Sequence, residues 1–161
     1  MDIQIEWQEP VQITRHKKPL FDESSAQQVV AGRPGVYFFS RKHGSAYSPF
    51  YIGHALSVSK RLRDHLKSAK IDRVLRGITG GDKQIKHGER YFHFGYLITR
   101  PGQDAKKCLR IVERYLVREA LANNIPLLNK QLTKSPTHSI SNIGTEKARS
   151  IYPKMASVSA N

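Results

Sequence analysis

Arg33-Pro34-Gly35-Val36-Tyr37-Phe38-Phe39 and Phe50-Tyr51-Ile52-Gly53 are the two stretches on which the reading of this chain turns. The first is a backbone breaker followed by strand formers, and the second is another short run of aromatic and β-branched residues. Between them, Arg41 to Pro49 is polar and contains Gly44, which reads as a rather long loop closing the two runs into a hairpin. Alternate residues of a strand share a face, so a suitable register brings the hydroxyls of Tyr37 and Tyr51 out on one side.

Downstream, Ser57 is placed to cap a helix in which Val58, Leu62, Leu66 and Ala69 recur at helical spacing. Arg61 and His65 fall at the edge of that apolar stripe, one turn apart. Lys60, Arg63 and Lys67 point away from it as a basic ridge, with Lys70, Arg73 and Arg76 beyond. Residues 70–90 read as a basic connection containing Gly77, Gly80, Gly81 and Gly88, with a helical turn around Asp72 to Ile78. Arg90 to Thr99 is alternating and aromatic, a third strand broken by Pro101-Gly102. Asp104 is a plausible cap for a long helix to about Ala122, with Cys108, Val112, Leu116 and Ala120 among its apolar positions. In that periodicity Glu119 sits nearer the centre of the stripe and Glu113 at its margin.

The expected fold class is α+β, a small three-stranded antiparallel sheet flanked by helices, with room for a shallow site on the face the helices leave open. The expected organisation is an N-terminal arm over residues 1–32, holding one short helix near Glu23 to Val30, then a domain over 33–130. A basic, Ser/Thr-rich tail over 131–161 reads as loosely ordered, apart from a turn near Glu146 to Tyr152.

The chain has 161 residues, and 27 Lys and Arg against 13 Asp and Glu give a net charge of +14. Residues 1–23 hold five acids and three bases, so the whole excess falls on residues 24–161, with 24 bases against eight acids. A field of that sign favours polyanions, nucleic acid first and an anionic membrane surface second. No apolar stretch is long enough for a membrane-spanning helix, and Met1 to Glu9 carries acids and no leader-like apolar core. Cys108 is the one cysteine, which excludes an internal disulfide and a cysteine zinc site and points to a reducing, cytoplasmic setting. His87, His93 and His138 lack metal-ligand spacing, and Gly80-Gly81 is a turn signal with no phosphate-loop pattern around it.

Gly35-Val36-Tyr37, Tyr51-Ile52-Gly53, then Arg61 and His65, then Glu113 with Leu116-Val117, and finally Asn129 after Pro126-Leu127-Leu128 form an ordered series. In this series the chain resembles the GIY-YIG nuclease domain family over about residues 33–130. The resemblance implies a metal-dependent DNA endonuclease that hydrolyses phosphodiesters at a single magnesium or manganese ion. Carried over by position, Glu113 would hold the metal and Tyr37 would take the proton of the attacking water. Tyr51 would position water or phosphate, and Arg61 would neutralise the phosphate. His65 would hydrogen-bond within the site, and Asn129 would shape the pocket. Lys60, Arg63, Lys67, Lys70, Arg73 and Arg76 would follow the DNA backbone.

Three features depart from the family pattern. Val36 replaces the usual Ile, and the hairpin connection is longer than is common, which places Arg41, Lys42, His43 and Tyr47 to touch nucleic acid. His54 follows Gly53 where some relatives have Lys, making it a candidate for tuning Tyr51. Taken singly, Tyr37 and Tyr51 read as half-buried sheet aromatics, and Glu113 as a surface partner of Arg110 or Arg114. The alternative function is a catalytically silent nucleic-acid-binding module of the same fold. Oligomeric state and biological role are not legible in the sequence.

Overall fold

Strand formation is strongest where the sequence promised it. The structure, a computed structural model, describes residues 2–15, 18–20, 22–76, 87–129, 137–141 and 155–159, with the side chains of Glu23, Lys70 and the last two segments outside the description. β1 (Gln4–Trp7), β2 (Val11–Arg15), β3 (Lys18–Pro19) and α1 (Glu23–Val29) come first. The hairpin of β4 (Gly35–His43) and β5 (Ala46–Ala55) follows, then α2 (Val58–Lys67) and α3 (Ala69–Leu75). β6 (Glu89–Ile98) and α4 (Ala105–Ala122) complete a unit spanning Met1–Asn129. A separate unit, Lys130–Asn161, contains the antiparallel pair β7 (Thr137–Ser141) and β8 (Met155–Ser159). The turn expected near Glu146 to Tyr152 and the glycines at 77, 80 and 81 lie outside the described residues.

The sheet has six strands among the described residues, not three. Its order is β3-β2-β6-β4-β5, with β1 also paired to β6, and all its pairings are antiparallel. The additional strands come from residues 1–32, which belong to the same compact unit as the hairpin. β1 and β2 lie end to end along one side of β6, interrupted around Pro10, which has no N–H to donate to a ladder. Residues this far apart in sequence leave no local trace of their pairing. Ile13, Ala26 and Val30 are 1%, 0% and 1% exposed.

The hairpin also differs from expectation. Its strands run on to a two-residue turn at Gly44-Ser45, so Arg41 to Pro49 is mostly strand and not a long loop. Gly44 has φ +58°, the positive value that the first central position of a II′ turn requires. The polar stretch stays extended because Lys42 pairs across to Tyr47 and Glu89. A bulge opposite Phe39 and Ser40 takes up one residue of β5.

Helices cover both faces, where the sequence suggested one. Tyr37, Phe39, Phe92, Phe94 and Tyr96 point into a core shared with Val58 and Leu62 of α2, Ile71, Val74 and Leu75 of α3, and Ala26 of α1. Val36 and Leu97, one residue out of phase, point the other way against Cys108 and Leu109 of α4. Asp104 caps α4 by accepting from the Lys107 N–H at 3.1 Å, whereas Ser57 occupies the N-cap of α2 without a side-chain bond. No helix among the described residues is long and apolar enough to cross a membrane.

Removing residues 1–32 strips Ile13, Ala26 and Val30 from the core and leaves one side of β6 unpaired. A chain beginning at Arg33 is therefore expected to lose its cooperative urea transition. Retention of a sharp transition at the full-length midpoint would contradict this account of the N-terminal strands.

Candidate active site

Register decides which side chains of the hairpin meet. Tyr37 lies opposite Gly53, and Phe39 opposite Tyr51, so both tyrosines emerge on the α2 face. Their rings are 6.5 Å apart between centroids and inclined by 16°. Tyr37 is 1% exposed and also stacks on Phe92, whereas Tyr51 is half-buried. Gly53 is what makes the Tyr37 position possible. A Cβ there would sit 2.5 Å from the phenol oxygen, so the ring rests over a bare α-carbon. The sequence marked Gly53 only as part of a motif; its cross-strand partner supplies the reason.

Helix α2 brings in Arg61 and His65. The Arg61 Nε–H donates to the Tyr37 oxygen at 3.4 Å, and His65 Nε2 lies 2.7 Å from the same oxygen. Burial, with the Arg61 charge beside it, pulls His65 from its usual 6.5 down to about 4. His65 is then neutral near pH 7, and with Arg61 already donating to the phenol oxygen, the consistent assignment has Tyr37 O–H donating to Nε2. Burial is also the main force holding the Tyr37 phenol protonated, reinforced by Tyr51 and Glu113 and opposed by Arg61. Burial raises Tyr51 too, with Arg61 opposing and Glu113 adding to the rise. Arg61 itself is held charged, chiefly through its hydrogen bond to Tyr37.

Glu113 arrives from the opposite face. It is 6% exposed and lies in the buried row of α4 with Leu109, Val117 and Ala120, while Glu119 faces solvent. The periodicity that favoured Glu119 ran through Val112 and Leu116, which are only partly buried, as well as the buried Cys108 and Ala120, and so was centred to one side of the buried row. Glu113 Oε2 accepts a hydrogen bond from His54 Nδ1 at 2.6 Å. His54 pairs with Val36 and so points to the α4 side, away from the Tyr51 face. Its direct partner is therefore the carboxylate and not Tyr51. β5 forms the rim of the sheet, and the Glu113 charge adds to the raising of both phenols.

Asn129 closes that rim. Its Oδ1 accepts from Ile52 N–H at 3.2 Å and its Nδ2 donates to Ile52 C=O. The Leu128 N–H donates to Phe50 C=O at 2.8 Å, so residues 128–129 run along the free edge of β5. Asn129 thus fixes the strand between Tyr51 and Gly53.

The basic ridge is less uniform than the sequence implied. Lys60, Lys67 and Arg73 are exposed, and Arg63 is half-buried with no partner for its Nε among the described residues. Arg76 is bonded to Asp72 at 2.9 Å, and the Lys70 side chain lies outside the described residues.

Among the described residues, no three His, Cys, Asp or Glu side chains gather as a metal-binding group. Of the side chains named above only Glu113 carries a carboxylate at the site, although the Asp64 charge also bears on Arg61 and His65, and Glu113 Oε1 has no hydrogen-bond partner among the described residues. That donor set suits magnesium, a hard cation that keeps several waters and can be held by one protein carboxylate plus substrate oxygens. Compared with protein-family models, curated proteins and solved structures, the chain matches none.

Two outcomes follow from this geometry. Above pH 6.5, His65 is neutral whether the chain is folded or unfolded. Below it, the unfolded chain takes up a proton that the folded site refuses until about pH 4. Stability is therefore expected to fall as pH drops through that window, by up to about 3 kcal/mol from this group. Urea midpoints should show a weaker fall in His65→Gln than in the unaltered chain; identical slopes would contradict the assignment. Separately, Gly53→Ala should cost about 1–3 kcal/mol and displace the Tyr37 ring, seen as altered near-ultraviolet circular dichroism. An unchanged spectrum and midpoint would remove Gly53 from this role.

Proposed function

We propose that this chain is a divalent-metal-dependent endonuclease of the GIY-YIG type acting on DNA. The observation that carries the reading is the convergence on the Tyr37 oxygen of Arg61 and His65, in a site whose phenols also feel the charge of Glu113. Each of those groups has work to do in hydrolysing a phosphodiester.

A phosphodiester repels hydroxide because both are anionic, so positive charge must meet the phosphate as negative charge builds on it. Arg61 donates only its Nε–H to Tyr37, which leaves the planar end of the guanidinium for two phosphate oxygens. Tyr37 is the candidate base, yet burial keeps its proton on. Neutral His65 offers Nε2 as the acceptor for that proton, so that Tyr37 can receive one from water as it gives its own up. A divalent cation, when bound, supplies the further positive charge that offsets the phosphate and favours the phenolate. Glu113 is the residue to hold it, and His54 orients that carboxylate from behind by donating to Oε2. Tyr51, half-buried beside Tyr37, is placed to orient water or phosphate. Asn129 holds the backbone of β5 on which Tyr51 and Gly53 stand.

The same fold and charge also suit a module that binds nucleic acid without cutting it. In its favour is the net charge of +14, which attracts a polyanion whether or not it is cut.

A cleavage assay on single-stranded, duplex and branched DNA with magnesium or manganese separates the two. Expected are nicking or cleavage by the unaltered chain, none by Glu113→Ala, and losses of about a hundredfold or more for Tyr37→Phe and Arg61→Ala. Calorimetry should register metal binding that weakens in Glu113→Gln. Binding of DNA with no turnover and no metal heat would establish the silent module instead.

A further inference from the structure

The α4 side of the sheet carries a second feature that the hydrolytic site does not use. Helix α4 covers this face at Val36 and Leu97, while Trp7, Phe38, Tyr47 and Tyr91 belong to neither core cluster. Their rings, with that of His93, run diagonally across four strands. Centroids are 5.7 Å apart from Trp7 to Phe38, 4.3 Å from Phe38 to His93, 4.8 Å from His93 to Tyr47 and 5.2 Å from Tyr47 to Tyr91. Trp7 and Tyr47 are 45% and 40% exposed, so the strip is open at the surface.

The strip is built, not incidental. Trp7 lies on β1 and reaches Phe38 on β4 across β6, which is possible because Gly95 stands between them. A Cβ on Gly95 would meet Ile5 Cγ2 at 2.5 Å and the Trp7 ring at 3.0 Å, so the indole sits close against bare backbone beside the Ile5 side chain. His93 is held by Ser40 Oγ at 2.9 Å and is nearly parallel to Phe38 at 11°. Burial keeps its imidazole neutral near pH 7. Lys42 places its ammonium 5.3 Å and 5.6 Å from the Tyr47 and Tyr91 ring centres. The acid beside it, Glu89, is engaged by the Gln12 amide at 3.1 Å.

We propose that this aromatic strip is a stacking platform for the bases of an unpaired nucleic-acid strand, with Lys42 meeting its phosphates. Trp7 and Tyr47 stand at 63° and 81° to the stacked Phe38–His93 pair, as exposed rings on which bases of any sequence can stack, and a cation beside them completes the usual chemistry of single-strand binding. The chain's net charge of +14 suits the same polyanion. The inference does not rest on the hydrolytic reading, since the strip is separate from Tyr37, Arg61 and Glu113.

Trp7 is the only tryptophan, so its fluorescence reports directly on the platform. The full chain, with EDTA present to silence any cleavage, is titrated with a thymidine oligonucleotide of about 12 residues, an abasic strand of equal length and a duplex, at fixed salt. The thymidine strand should quench Trp7, and the abasic strand and duplex should not. Phe38→Ala and Tyr47→Ala should each weaken thymidine-strand binding between about fivefold and a hundredfold, with abasic-strand affinity unchanged and Tyr47→Phe retaining most of the binding. Tyr47 is exposed on the hairpin, so its variants carry the test should Phe38→Ala fail to fold. Equal affinity for thymidine and abasic strands, or binding without quenching, would overturn the proposal. Loss of DNA cleavage with quenching intact would sink only the nuclease reading.

Discussion

The ring of Tyr37 lying over the bare α-carbon of Gly53 is the contact on which the rest of the site is assembled. It exists only in one register of the hairpin. A slip by a single residue would send Tyr37 to the α4 face and bring Val36 or Phe38 beneath α2. With the register set, the phenol oxygen lies where Arg61 and His65, one turn apart on α2, both reach it. The same register sends His54 to the other face, where it meets Glu113. One pairing thus distributes polar groups to both sides of an edge strand.

Burial then sets the chemistry of those groups. His65 is neutral because water is scarce around it and Arg61 is near, and Tyr37 keeps its proton for the first of these reasons. The two effects are complementary, because a neutral imidazole accepts the hydrogen bond that a protonated phenol offers. A solvent-exposed pair with the same geometry would lack that bias, since desolvation is the leading cause at both residues.

Glycine plays the same part twice on this sheet, on opposite faces. Gly53 seats Tyr37 towards α2, and Gly95 seats Trp7 on the α4 side. In each case an absent side chain on one strand lets an aromatic ring from a neighbour come close to the backbone. The first ring is buried and tied into a hydrogen-bond set, and the second is exposed and tied into a row of other rings. That difference in surroundings is why one is proposed for proton transfer and the other for stacking.

Much was written in the chain itself. The strand formers at Gly35 to Phe39, the helical spacing from Val58 to Leu66, the aromatic alternation of β6 and the Asp104 cap are local patterns, and each element formed where they fall. So was the partnership of Arg61 and His65, because one helical turn fixes it. The extent of the hairpin was hidden because Arg41 to Pro49 is polar and its strand character comes from cross-strand partners. Residues 1–32 were read as an arm because Gln4–Trp7 and Val11–Arg15 are short and find their partners in β6, more than seventy residues away. Glu113 was placed at a margin by helical periodicity and in a buried row by the sheet that α4 meets. Which helix face is buried, which strand stands at the edge and which side of the sheet His54 occupies are properties of long-range packing. Short-range propensity describes each segment's shape, but only the closing of distant segments on one another decides which groups lose water and which charges they feel.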